Sequence, residues 1–383
     1  MVQRGWPLKV STAVRDYEVI ERIDEFCDAV PRRRASAREY GPLVLFVPSG
    51  PGWPYYARPR RGTRLPVTAA DVRAVRARQR ELIIPESFEW IEQVAPEMAA
   101  AAAAAGLEVQ THPLMVLSSL LEAPSLPPGI TVRVVAPEDT ELDRIWAVPA
   151  VAFGYPGTAA GEAGPAERDK IAADYDGGTI AMLRERLRSG HSVLVAAFGP
   201  DGPLAAGSCQ AVDGVAEITG VGVLPSSRRQ RLGAAVTALL ARDALDRGVP
   251  TVFLSASDDA VARVYARIGF REIGTAMIAE PTPDLSAARD DGMDRAAVPQ
   301  PRVWAIQLAP LSAASASTRR RSASPSPPRP AWSPCSPAGS WPTGLTSLAI
   351  AGLATRWPTA PAVPRGASPV AGDRGTTHRH STK

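Results

Sequence analysis

The stretch VAEITGVGVLPSSRRQRLG, residues 215–233, restricts the possible folds of this chain more than any other. Val215, Ile218, Val221, Val223 and Leu224 have the β-branched, apolar character of an interior strand. Gly220 and Gly222 fall inside that run, where glycine weakens a strand unless another backbone or a ligand comes close. Pro225 has no N–H to give to a ladder, so the strand stops there. Ser226 or Ser227 can cap a following helix whose buried face is Leu232, Val236, Leu239 and Leu240. The amides from Arg229 to Ala234 would then point one way, with the positive end of the helix dipole behind them. Such a mouth suits a phosphate or pyrophosphate. Taken alone, the same residues also read as a basic helix start on the surface or, for SSRRQR, a nucleic-acid contact.

The following segments narrow the choice. TVFLSAS (251–257) reads as a second interior strand, DDAVARVYARIGF (258–270) as a short helix ended by Gly269, and REIGTAMIA (271–279) as another strand. The block Arg228-Arg229-Gln230-Arg231-Leu232-Gly233, after a valine-rich strand and Pro225, resembles the signature of the GNAT N-acetyltransferase superfamily. That signature is Arg/Gln-x-x-Gly-x-Gly/Ala, and Arg231 stands here in place of its first glycine. The order strand, helix, Tyr265-x-x-x-Gly269-Phe270, strand is similar to the second half of the same fold, and Asp258 stands where the family often has asparagine.

The resemblance implies an α/β GNAT fold: a mixed, mostly antiparallel central sheet flanked by helices. It implies acetyl-CoA as co-substrate, no metal, and direct attack by a primary amine in a ternary complex. Backbone groups of Val221, Gly222 and Val223 would then hold the pantetheine arm, and Arg228, Arg229, Gln230, Arg231, Leu232, Gly233 and Ala234 the pyrophosphate, with Asp258 beside the cofactor. The same resemblance makes Tyr265 the acid that protonates the leaving thiolate, although helical spacing also suits it to an aromatic core. Glu217 is the candidate base. It lies in an apolar strand where desolvation raises a carboxyl pKa, and a glutamate at that distance before the pyrophosphate loop is the base in the histone-acetyltransferase branch. A water relay is the alternative to it. Cys209 reads as a small buried hydrophobe, and His112 as a polar residue within a strand rather than a base. An acyl-CoA-binding sensor, or a structural protein of the same fold, is the alternative function.

Upstream, periodicity predicts a helix over 15–29, a strand at LVLFV (43–47) and a helix from Thr68 to about Leu82. It also predicts a helix over FEWIEQVAPEMAAAAAAAG (88–106), capped by Ser87 and kinked at Pro96. Gly106-Leu107 followed by EVQTHPLMVL echoes Gly269-Phe270 and its strand, so residues 1–121 read as a degenerate GNAT-like domain. EAPSLPPG (122–129) is a linker, and residues 130–280 the GNAT domain. Within that domain come a strand at 130–135, a helix near 137–154, a flexible loop at 157–168, a helix from Lys170 to about Arg188, and a hairpin of 192–198 with 204–212 around Asp201-Gly202. Residues 281–310 form an extension with one candidate strand at 302–311, and 311–383 a Pro/Ser/Ala/Arg-rich tail with the composition of disorder.

Charge separates along the same lines. From Leu311 to Lys383, eight arginines and one lysine face one aspartate, giving +8, so residues 1–310 carry −4 of the chain's net +4. The basic character belongs to the tail, so it is poor evidence for a nucleic-acid enzyme and confines any nucleic-acid contact to the tail, while the net-negative remainder steers weakly toward a cationic amine acceptor. No window of about 18 apolar residues and no apolar leader core appear, and Cys27, Cys209 and Cys335 are too scattered for a metal or disulfide set. The expectation is a cytoplasmic protein without a membrane partner; the family suggests a homodimer.

Overall fold

The computed structural model describes residues 12–48 and 55–282; the expected extension (281–310) from 283 onward, its candidate strand at 302–311 and the expected tail (311–383) lie outside the described residues. The chain begins with α1 (Thr12–Arg32), β1 (Ala35–Tyr40), β2 (Leu43–Pro48), β3 (Arg58–Pro59), α2 (Ala69–Glu81), β4 (Phe88–Ile91), α3 (Met98–Ala104) and β5 (Glu108–Leu117). It continues with β6 (Thr131–Val134), α4 (Leu142–Gly154), α5 (Pro165–Ala173), α6 (Gly177–Arg188), β7 (Val193–Gly199), β8 (Gly202–Val212) and β9 (Val215–Val223). A 3-10 turn (Pro225–Ser227), α7 (Leu232–Asp246), β10 (Thr251–Ser255), α8 (Asp259–Ala266) and β11 (Phe270–Glu280) complete it.

An eight-stranded sheet in the order β4-β11-β5-β10-β9-β8-β7-β6 carries the architecture, beside a small β1-β2-β3 sheet. Its pairings are antiparallel except β9 with β10, where α7 supplies the crossover that a parallel pair requires. The hairpins follow local chemistry. Asp213 (φ 49°) and Gly214 (φ 80°) both take positive φ in the two-residue turn between Val212 and Val215, the geometry that matches strand twist.

The N-terminal segment does not stand apart from this sheet. β5 lies between β10 and β11, bonded to both, and β4 closes the far edge. The linker at 122–129 therefore joins two stretches of chain that share one sheet. On one sheet face α1 packs Ile20, Ile23 and Phe26 against Leu114, Phe253 and Ile278, all at most 3% exposed. Phe26 meets Phe253 edge-on, with ring centroids 5.3 Å apart. On the other face α7 brings Val236 and Leu240 over Gly207 and Val221.

Several local expectations are corrected. Phe88–Ile91 is a strand and not the start of a helix, because all four residues are buried and pair with Ala276–Ala279 of β11; the helix begins only after Pro96. Aromatic and β-branched side chains suit that edge better than a helix. The helix expected over 170–188 is two, α5 and α6, separated where Asp176 accepts the Thr179 N–H at 2.7 Å as a fresh N-cap. Part of the expected loop at 157–168 is the first turn of α5, with Pro165 leading and Glu167 accepting the Gly164 N–H. Neither Ser226 nor Ser227 caps α7: they lie in the 3-10 turn, and Arg231 is the N-cap, with no side-chain bond.

Candidate active site

The sheet opens between its two parallel strands. Pairing of β9 with β10 runs only from Thr251↔Val215 to Phe253↔Glu217, after which β9 follows β8 to Val223↔Ala205 and β10 follows β5 to Ser255↔Leu114. From Ile218 onward the edge of β9 toward β10 has no ladder partner there. A register shift between Ala206 and Ser208, with Gly220 at φ 65°, marks a bulge in β9 at this opening. The gap leads into a cleft of about 950 Å³ lined by this stretch of β9, the start of α7, α8 and the end of α4.

At one end lies the helix mouth. Ala235 N–H reaches Arg231 O at 3.1 Å, so the preceding amides of Leu232, Gly233 and Ala234 have no intrahelical acceptor. Arg229 (φ 67°) and Arg231 (φ 63°) both take left-handed backbone. Arg231 thus adopts the conformation that the missing glycine would favour, at a cost of about 1–2 kcal/mol. Left-handed residues feeding a helix start turn successive N–H groups toward one point, an anion-binding nest.

The side chains of this block divide their duties. The Arg228 guanidinium donates to the carbonyls of Ala152 (3.0 Å), Tyr155 (2.5 Å) and Ala159 (3.1 Å), tying the end of α4 to the end of β9. Arg231 reaches Ser125 of the linker at 3.3 Å. Arg228, Arg229, Arg231, Leu232, Gly233 and Ala234 line the cleft; Gln230 does not. Gly222 also lines it, yet a Cβ there would come within 2.8 Å of the Pro149 backbone, so this glycine serves the close approach of α4. A Cβ at Gly233 would sit 3.3 Å from Val223, which explains how the helix start lies so near the strand end.

Farther in, Glu217 is 2% exposed and accepts from Gln210 at 3.4 Å. Burial and the nearby Glu89 push its carboxyl up to about 8. Glu89 itself is pushed up to about 7 by burial, against the pull of Arg58. Behind them Asp24 of α1 pairs with Arg58 and also with Arg61 (2.5 Å), while Arg58 stands 3.8 Å from Glu89. Three buried carboxyls thus share one fully buried guanidinium and one partly exposed one, and Asp24 has the first claim on both. Cys27 lies in the same cluster, its thiol pushed up by burial.

Tyr265 lines the cleft from α8, 8% exposed, with its ring against Phe270 at 6.2 Å between centroids. Burial and the charge of Asp258 hold its phenol above the ordinary value, so it stays a hydrogen-bond donor. Asp258 is committed as the N-cap of α8: it accepts from Val261 N at 2.9 Å and from Ser257 Oγ at 3.2 Å. The cleft also takes in Gln110 and His112 of β5, the latter read from sequence only as a polar strand residue. No local signal marks them. They reach the cleft only because β5 pairs with strands more than a hundred residues downstream.

Residues 165–270 match the family model of the GNAT acetyltransferases. The chain carries a GNAT domain. A GCN5-related N-acetyltransferase from Kribbella flavida is 25% identical, with 70% of this chain and 98% of that one aligned at a TM-score of 0.52. That alignment extends well beyond the family-matched segment. A tandem GNAT protein from the clavulanic acid biosynthesis pathway is 17% identical over 71% and 95% of the two chains (TM-score 0.42). A GCN5-related N-acetyltransferase from Sphaerobacter thermophilus is 20% identical over 55% and 66% (TM-score 0.39). A search of curated proteins gave no match. Among the described residues of the GNAT-bearing chain, no helix is long and apolar enough to cross a membrane.

Proposed function

We propose that this GNAT domain transfers an acetyl group from acetyl-CoA to a primary amine by direct attack within a ternary complex. The observation that carries the reading is the opening between β9 and β10, which joins an amide-lined helix mouth to a buried carboxyl and a buried phenol. The nest at Arg229–Ala234 suits a diphosphate, and the unpaired edge of Val221–Val223 suits the amides of a pantetheine arm. Arg228 takes a supporting part, holding the α4 end that walls the cleft.

Chemistry would fall to the floor. Glu217 removes a proton from the acceptor ammonium, directly or through water, and a carboxyl held near 8 is a stronger base than an ordinary one. The amine nitrogen then attacks the thioester carbon, the C–S bond breaks and Tyr265 protonates the departing thiolate; the new amide nitrogen passes its extra proton through water to the tyrosinate, and Glu217 returns its proton to solvent. A cationic acceptor suits the −4 carried by residues 1–310. In a thiol-release assay across an amine panel, Tyr265→Phe should slow turnover about tenfold or more while acetyl-CoA affinity stays unchanged. Equal rates for Tyr265→Phe and the unaltered protein would remove the acid assignment.

A further inference from the structure

Of the two β5 residues that line the cleft, Gln110 and His112, the second carries a buried nitrogen that the assignments above leave unused. His112 is 5% exposed and lines the cleft, with Nδ1 3.2 Å from the carbonyl oxygen of Ser257, just past β10. A carbonyl only accepts, so Nδ1 carries the hydrogen, and in a neutral ring Nε2 keeps a lone pair. Burial holds the imidazole pKa down, against the opposing pull of the Ser257 and Ala256 carbonyls and of Asp258. Nε2 is itself buried and has no hydrogen-bond partner among the described residues. A buried acceptor in that state is satisfied by a donor from whatever occupies the cleft.

Register tells which occupant. Partners across a ladder share a face of the sheet. His112 pairs with Ala276, Ala276 packs with Leu114 and Phe253 beneath α1, and Phe253 pairs with Glu217. His112 and Glu217 therefore lie on the α1 face. Val221 and the body of α7 lie on the other, since both meet the space above Gly207. The unpartnered nitrogen belongs to the side of the carboxyl, across the sheet from α7.

We propose that His112 Nε2 accepts a hydrogen bond from an N–H of the acceptor amine, which makes it a specificity residue contributed by the N-terminal segment. This rests on the acetyl-transfer reading above. An amine has a hydrogen for each of two acceptors, Glu217 and His112, whereas an alcohol has only one, so the pair selects nitrogen over oxygen nucleophiles. No bond is made or broken at His112; its part is orientation.

Two variants separate this role from packing. His112→Asn keeps an amide N–H near Nδ1 for the Ser257 carbonyl but does not reach the Nε2 position, and His112→Gln puts an acceptor oxygen there. Both are assayed by thiol release with acetyl-CoA against spermidine, kanamycin and lysine methyl ester, and by calorimetry with acetyl-CoA alone. For the amine turned over fastest by the unaltered protein, Asn should raise KM about tenfold, with kcat within about threefold and acetyl-CoA affinity unchanged; Gln should restore most of the loss. An unchanged KM in the Asn variant, a changed acetyl-CoA affinity instead, or no advantage of Gln over Asn overturns the assignment of His112 alone. Acetyl-CoA binding with no amine-dependent turnover by the unaltered protein rejects the functional reading itself, and this inference with it.

Discussion

The mouth at Arg229–Ala234 is built from neighbours in sequence and offers backbone amides, whereas the floor under Glu217 is assembled from α1, β3, β4, β5 and β9 and offers side chains. The contrast bears on how each tolerates change. Amides survive most substitutions provided the turn keeps its conformation. A floor made of side chains that share too few countercharges does not, because each one sets the protonation of the next. Changes in the floor should therefore act on turnover and pH dependence, and changes in the mouth on cofactor affinity and stability.

The sharpest separation comes from Glu217→Gln. It should lower kcat/KM for the best amine about 10²- to 10⁴-fold at pH 8.5, where the carboxyl is mostly ionised, with acetyl-CoA affinity by calorimetry unchanged. A matching loss of acetyl-CoA affinity would erase the distinction between floor and mouth. Next in size is Arg228→Ala, which removes the side-chain donor of three carbonyls near the α4 end and should cost about 1 kcal/mol of stability, read as a lower urea midpoint, together with weaker acetyl-CoA binding.

The pH behaviour follows from the direction of the shifts. Glu217 (about 8) and Glu89 (about 7) are raised above their ordinary 4.5, so their stabilisation is complete below pH 4.5 and is lost as pH rises through 7 and 8. Thermal melts should show stability falling across that window, with a shallower fall in Glu217→Gln. The proposed catalysis runs the other way, since a carboxyl acting as base works ionised: the rate should rise toward a midpoint near 8. Glu89→Gln, which deletes a like charge, should move that midpoint down by up to about one pH unit. A midpoint that does not move would uncouple the two carboxyls. The smallest effect belongs to the mouth: Arg231→Gly relieves a left-handed arginine but frees the unfolded chain, for a net gain of about 1 kcal/mol at most, visible as a slightly raised urea midpoint.

The same contrast governs what could be read before the structure. The strand from Val215, the stop at Pro225 and the glycine at 269 announce themselves because periodicity, a missing N–H and positive φ are properties of adjacent residues. Gly269 proves doubly constrained: besides φ 104°, a Cβ there would overlap the Ser119 carbonyl. Glu217 was legible too, as an acid in an apolar strand. His112, Glu89 and Arg58 were not, since their meaning depends on which strands lie side by side, and no local pattern places β5 between β10 and β11. Phe88–Ile91 misled for a related reason: an alanine-rich run favours helix, while an open sheet edge claims the aromatic residues ahead of it. Position in the motif gives Arg228 to the pyrophosphate, while only the folded chain shows its guanidinium donating to the carbonyls near α4.

On the proposed reaction, the mouth and the floor act on one pair of molecules, a thioester and an amine. Its most direct test is release of free coenzyme A thiol from acetyl-CoA by the purified chain at pH 8.5, with and without each member of an amine panel. Acetyl transfer should give saturable release that depends on at least one amine and disappears in Glu217→Gln. Tight acetyl-CoA binding with release no faster in the presence of any amine would contradict it and leave a binding protein in the place of an enzyme.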